Sequence, residues 1–205
     1  MKRLPAAKRR EQLLNKAAEL FAVHGYAGAT TSEIAKAAGV TEPIIYRHFK
    51  SKRDMFIALI DRTGEQTMKL WDHELRTAPD PAERLQRLLR VNPMVTRGGK
   101  GAYRVILQAM TQVEDPQILQ AVIQHITMLH EFLAKEVERA QESNQVSPRF
   151  SAQITAWALI HIGLGYGVLA ALKIPAHGID QQGVHIQDML SQLMLGDRYR
   201  RPSDG

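Results

Sequence analysis

Between Thr41 and Lys52 the sequence TEPIIYRHFKSK places a phenolic hydroxyl (Tyr46), a guanidinium (Arg47), an imidazole (His48) and two ammonium groups (Lys50, Lys52) in one short segment. Three apolar residues, Ile44, Ile45 and Phe49, alternate with them and can seat a helix while the polar groups stay outside. Hydrogen-bond donors and positive charge at this density suit an anionic partner. One acid, Glu42, stands at the start of the same segment.

Bond-making chemistry finds little support elsewhere. There is no cysteine, hence no disulfide framework and no thiolate metal site. His125 and His130 are five residues apart and fall on different helix faces, whereas a helical metal pair needs a spacing of three or four. GLGYG (163–167) lacks the last glycine of a dinucleotide fingerprint and follows no strand. GGKG (98–101) lacks the earlier glycine and the Ser/Thr of a phosphate loop, and reads instead as a flexible loop that could gate the body. No serine elbow is present. The expectation is no catalytic residue, no metal and no cofactor.

Charge narrows the partner. The net charge is +6, and residues 1–62 hold 12 Lys/Arg against 6 Asp/Glu, while residues 63–205 hold 15 of each. All of the excess lies in the first third. A field of that kind fits a nucleic acid, a membrane surface, or simply a solvated basic face. Hydrophobic residues make up 44% of the chain, enough for a packed core. The basic start runs directly into an amphipathic pattern with no apolar secretion segment, so a cytoplasmic protein is expected.

The elements that must position the Thr41–Lys52 groups are helices. Leu13, Leu14, Ala17, Ala18, Leu20 and Phe21 form one face at helical steps, and Gly25 can close that helix. Thr30 with Glu33 forms a capping box for a short helix that ends at Gly39. Thr41 is expected to cap the next helix, with Pro43 in its first turn. Ser51 opens a long fourth helix reaching about residue 75. Further helical patterns cover roughly 81–95, 102–113, 116–143, 149–173 and 183–195, separated by Pro- and Gly-containing breakers. The expected fold is all-α with about nine helices. Its divisions are a head at 1–50, a connecting helix at 51–75, a body at 76–196 and a polar tail at 197–205.

Within the head, Ala35 is small enough for two helices to cross closely, and Gly39 tolerates the positive φ of a tight turn. Val40 and Ile45 can fill the angle between them. This is the logic of a helix-turn-helix, although an αα-corner in any helical protein shares it.

TTSEIAKAAGVTEPIIYRHFKSKRDMF resembles the DNA-binding signature of the TetR family of bacterial transcriptional regulators. The resemblance rests on Thr30-Thr31, Ile34-Ala35, Ala38-Gly39-Val40, Thr41, Tyr46, His48-Phe49, Lys52 and Met55-Phe56, and covers about residues 9–60. It implies that Thr31, Thr41, Tyr46 and Lys52 hold DNA phosphates. It implies that Glu42, Pro43, Ile44, Arg47 and His48 are the exposed positions of the recognition helix, with Ile45 and Phe49 in the core. The chemistry agrees: hydroxyls, ammonium groups and a helix N-terminus are phosphate donors. Arg47 can address guanine and Ile44 a thymine methyl. Glu42 could accept from cytosine N4 or merely favour the helix dipole. Lys8, Arg9 and Arg10 precede the first helix and could reach DNA, or form a solvated arm.

The same resemblance implies a ligand-binding and dimerisation body whose last two helices pair with a second copy. Residues 150–172 are apolar nearly all round, as a multiply buried helix must be, and Gly163 and Gly167 permit close helix approach. A membrane span is the rival reading of that run, opposed by Gln153 and His161. Met68, Trp71, Met94, Tyr103, Met110, Met128, Trp157, His161 and Tyr166 could line a pocket, each being equally at home in a core. Tyr103, Met110 and His161 are the ligand candidates. The functional expectation is a homodimeric regulator, a repressor released from a near-palindromic DNA operator by an apolar or aromatic effector. The alternative is a helical small-molecule-binding protein or enzyme with an incidental basic head.

Overall fold

The computed structural model describes residues 4–92, 100–170, 172 and 174–196. Among them the chain is all-helical: α1 (Ala6–Gly28), α2 (Thr31–Ala37), α3 (Glu42–Tyr46), α4 (Lys52–Leu75), α5 (Pro81–Arg90), α6 (Lys100–Met110), α7 (Pro116–Glu142), α8 (Ala152–Ala170) and α9 (Ile186–Leu195). No strand occurs among the described residues beyond an isolated bridge between Ile179 and His185. Gly98 and Gly99 of the expected gating loop, Met94 and the 197–205 tail lie outside the described residues, and Lys100 and Gly101 of that loop belong to α6.

Local chemistry sets the helix ends. Gly25 adopts φ 72°, which breaks α1 before one last turn to Gly28. Lys8, Arg9 and Arg10 are not an arm: α1 begins at Ala6 and includes them. The Arg10 guanidinium lies 4.7 Å from the centroid of the Phe49 ring. Thr30 forms the expected capping box with Glu33, and those hydrogen bonds, from the Thr30 hydroxyl first and its backbone N–H second, hold the Glu33 carboxyl below its ordinary value. Ser51 Oγ accepts from the Asp54 backbone N–H at 3.0 Å and so starts α4. Asp80 caps α5 in the same way, at 2.9 Å from the Glu83 backbone N–H.

The chain divides into two compact units. The first comprises Met1–Glu65 and Gly101–His125. Its core is built from Leu13, Leu14, Phe21, Ile34, Ile45, Phe56, Ile60 and Ile106, all buried. Phe21 meets Phe56 edge-on at 5.3 Å, and Tyr26 stacks on Phe56 at 4.4 Å. Among the polar ties of this unit, two reach from the 101–125 segment to α1 and α4. Gln108 Nε2 of α6 donates to the Phe21 carbonyl of α1 at 2.7 Å. Arg53 of α4 pairs with Asp115, the residue before α7, at 3.1 Å.

The second unit comprises Gln66–Lys100 and Ile126–Gly205. Trp71 is fully buried and stacks on Phe132 at 5.2 Å, beside Leu85, Leu88, Leu129, Leu133, Val137 and Ile160. Glu136 is 3% exposed and receives both Arg84 nitrogens, at 2.6 and 2.9 Å, plus Arg139 at 2.7 Å. A buried carboxylate is tolerated here because it is bidentately paired. One side of α8 is buried through Ala152, Ala156, Leu159, Ile160 and Gly163. The expectation of burial all round is not met within the chain, since Ile154, Trp157, Val168 and Leu169 are exposed.

Candidate nucleic-acid interface

The turn between α2 and α3 is tight. Gly39 takes φ 65°, where a β-carbon would be strained, and the Val40 N–H donates to the Ala35 carbonyl at 3.0 Å. Ala35 is 2% exposed, so its methyl sits inside the helix crossing. Ile45 (0% exposed) and Phe49 (4%) anchor the segment that follows. Burying a side chain like Ile45 is worth about 2 kcal/mol, enough to fix which face of α3 points outward.

That outward face is the polar one. Thr41, Pro43, Tyr46, Arg47 and Lys50 are exposed, while Glu42, Ile44 and His48 are half-buried. The helix is short. It spans Glu42–Tyr46, and the chain then turns, with the His48 and Phe49 N–H groups both donating to the Ile45 carbonyl at 2.9 Å. Thr41 has the extended backbone of an N-cap, but its hydroxyl makes no capping bond.

Two findings were not legible in the sequence. The first concerns Glu42. Thr31, the first residue of α2, donates its hydroxyl to Glu42 Oε1 at 2.5 Å. Tyr46 OH lies 3.4 Å from the same oxygen and 3.3 Å from Thr31 Oγ1. Glu42 therefore gathers the two hydroxyls rather than standing alone at a helix end. The Glu42–Tyr46 half of this cluster was in reach, because residues four apart share a helix face. Thr31 is eleven positions away and only the turn brings it in.

The second finding concerns Lys52, expected at a phosphate. Its ammonium donates to the carbonyls of Tyr26 (2.8 Å), Ala29 (2.9 Å) and Ala27 (3.3 Å), and lies 4.7 Å from the Tyr26 ring centroid. An ammonium has three protons. With three carbonyls at the end of α1 as partners, Lys52 ties that helix to α4.

Residues 13–59 match the family model for the bacterial regulatory proteins of the tetR family. The chain is also 30% identical over 144 residues to the nucleoid occlusion factor SlmA of Marinobacter nauticus, covering 70% of this chain and 74% of that protein. The chain belongs to the TetR family. Over 120 residues it is 34% identical to the HTH-type transcriptional activator FasR of Mycolicibacterium smegmatis, an alignment that takes in 58% of this chain and about half (54%) of that relative's length. The fold is shared with AibR in complex with isovaleryl coenzyme A and operator DNA, at a TM-score of 0.71 and 20% identity, over 91% of this chain and 98% of that one. TetR-family proteins are ligand-responsive, DNA-binding transcriptional regulators and not enzymes, so the reading as a helical enzyme with an incidental basic head does not hold.

The three ligand candidates are divided between the two units. Tyr103 is buried in the first unit, its hydroxyl 3.4 Å from His125 Nε2. Met110 is half-buried at the end of α6 in the same unit. His161 belongs to the second unit and is exposed, stacked on Trp157, which stacks in turn on His130 at 4.4 Å. His125, passed over in the sequence, is the more informative histidine. It is 4% exposed, its Nδ1 has no hydrogen-bond partner among the described residues, and burial pushes its pKa from 6.5 down to about 4. Of the other pocket candidates, Trp71 is core and Trp157 is exposed. In the second unit a cavity of about 10 Å³ is lined by Leu89, Asn92, Leu159, Tyr166 and Leu190, too small for an effector.

Proposed function

We propose that the chain binds a near-palindromic operator as a homodimer and is released by a small molecule, acting as a repressor in the cytoplasm. The observation that carries the DNA reading is the polar face of α3, held outward by buried Ile45 and Phe49 beside the Thr31 and Tyr46 hydroxyls. Thr31, Thr41 and Tyr46 hold phosphates in this reading, and Pro43, Ile44, Arg47 and His48 face base edges. Lys52 is left out of the phosphate set in this proposal because freeing it breaks three charge-assisted bonds at once, whereas Thr31 and Tyr46 each turn a single hydroxyl proton from Glu42. In vitro selection from a random duplex library tests the proposal. Enrichment of two inverted half-sites about 10 bp apart supports it; a library without enrichment refutes it.

The second copy is proposed to cover the apolar outer side of α8 and α9, where Ile154, Val168, Met189 and Leu193 are exposed. By length and a mean hydropathy of 1.3, α8 could also cross a membrane. Continuation of the same exposed apolar character onto the shorter α9 favours a helix bundle between copies.

The effector is proposed to act in the first unit, where His125 offers an orphaned, neutral ring nitrogen near Tyr103. A neutral polar handle in an apolar setting suits a largely apolar ligand with one hydrogen-bonding group. From there Gln108 and Asp115 lead to α1 and α4 through the two polar ties. The ligand must favour one arrangement of these ties over the other, or it shifts nothing. FasR carries the name of an activator, so the sign of regulation is tested separately, by a reporter placed behind the selected operator.

A further inference from the structure

We infer that Glu42 is a specificity-determining residue, whose carboxylate holds the Thr31 and Tyr46 hydroxyls back from phosphate until a base amino group in the major groove takes their place. The inference rests on the proposed phosphate role of those hydroxyls. Each hydroxyl has a single proton, and a carboxylate only accepts. The Thr31 proton is directed at Glu42 Oε1 at 2.5 Å, and Tyr46 OH is within 3.4 Å of the same atom. A proton given to Glu42 is not given to a phosphate oxygen. When DNA draws the hydroxyls away, Glu42 is left half-buried, stripped of those bonds, and close to a second anion.

Phosphates are alike in every duplex, so this opposition weakens binding to all sequences. It is relieved only where the groove supplies a new donor to the carboxylate. The major-groove donors are the amino groups of cytosine N4 and adenine N6. Glu42 begins α3, the end of a recognition helix whose residues reach base edges. Every base pair carries one such amino group, on its cytosine or adenine side, so what varies with sequence is the strand on which it stands. Sequences with cytosine or adenine on the strand that Glu42 faces release the hydroxyls without leaving a bare carboxylate, and sequences with guanine or thymine there keep the opposition. Discrimination arises by penalising the wrong partner, not by adding contacts to the right one.

The test compares a random-sequence duplex with the operator selected in vitro, using wild type, Glu42→Gln, Thr31→Val and Tyr46→Phe at one salt concentration. Glu42→Gln is expected to tighten random-duplex binding at least about fivefold and to lower the operator-to-random ratio by a similar factor. Library selection with wild type is expected to show one position per half-site where cytosine and adenine are both accepted on one strand and guanine and thymine are both excluded from it, and selection with Glu42→Gln to lose that preference. An unchanged or raised ratio, or an identical selected base at every position, overturns the inference. The selection arm with wild type needs no variant to fold, and the absence of any such position also overturns it. Thr31→Val and Tyr46→Phe report on the underlying reading. If both bind random duplex as wild type does, the phosphate role fails. If both weaken it while Glu42→Gln leaves the ratio alone, only the inference about Glu42 fails.

Discussion

Arg53 near the start of α4 and Asp115 at the entry to α7 meet at 3.1 Å, sixty-two positions apart in sequence. The pair fixes the DNA-facing head to the 101–125 segment inside one compact unit. Burial works against the Asp115 charge, but the Arg53 hydrogen bond and the backbone N–H groups of Gln117 and Ile118 outweigh it and hold the carboxyl below its ordinary value of 3.8. A carboxyl lowered in the folded state contributes stability above its unfolded pKa, and that contribution disappears as pH falls through the folded value. Asp115→Asn should therefore have a lower urea midpoint than wild type at pH 7, with the gap closing below about pH 3.8. A gap that keeps its full size as the pH falls below about 3.8 would contradict the assignment.

Lys52 makes a structural prediction that differs from a phosphate contact. Lys52→Met removes three charge-assisted bonds to the α1 end and should cost about 1–3 kcal/mol of stability. The salt dependence of DNA binding should keep its slope. A slope reduced by about one, with unchanged melting, would restore Lys52 to the phosphate set.

His125 is neutral inside the fold and would be charged in the unfolded chain over much of the acid range. Its pKa is lowered from 6.5 to about 4, so stability is full above pH 6.5 and falls as pH drops toward 4. The total contribution is on the order of 3 kcal/mol at 1.36 kcal/mol per unit. Urea unfolding from pH 7 to 4.5 should show this fall in wild type and a shallower one in His125→Gln. Equal slopes would place the histidine in water.

The exposed apolar sides of α8 and α9 predict the oligomeric state. Ile154 and Leu193 are 55% and 74% exposed. The double variant Ile154→Glu, Leu193→Glu should run as a monomer by size-exclusion chromatography with light scattering, while wild type runs as a dimer. Operator affinity should fall at least about tenfold, since two linked half-sites become one. A monomeric wild type at micromolar concentration would remove the dimer from the account.

The head was largely legible because its signals are local. The Thr30–Glu33 capping box, Gly39 and the buried spacing of Ile45 and Phe49 each act within a few residues, and the all-helical pattern needs only periodicity. What escaped the sequence is long-range. Lys52 looked like one more free cation because the carbonyls it serves lie 23 to 26 positions away. Glu42 looked misplaced because Thr31 arrives beside it only after the turn. The exposure of His161 was not legible because an apolar helix gives no hint of which side its own chain leaves uncovered. His125 lost weight when judged only by its spacing to His130, whereas its burial and orphaned nitrogen depend on α6.

The central claim is that the outward face of α3 reads base edges, and Arg47 tests it most directly. Binding of wild type and Arg47→Ala should be measured against the selected operator and every single base-pair substitution in one half-site, at fixed salt. Arg47→Ala is expected to cost about 1–3 kcal/mol on the operator and to abolish discrimination at one or two positions, leaving the others intact. A loss of equal size on every duplex, with all base preferences retained, would show that Arg47 touches only the backbone and would contradict the account.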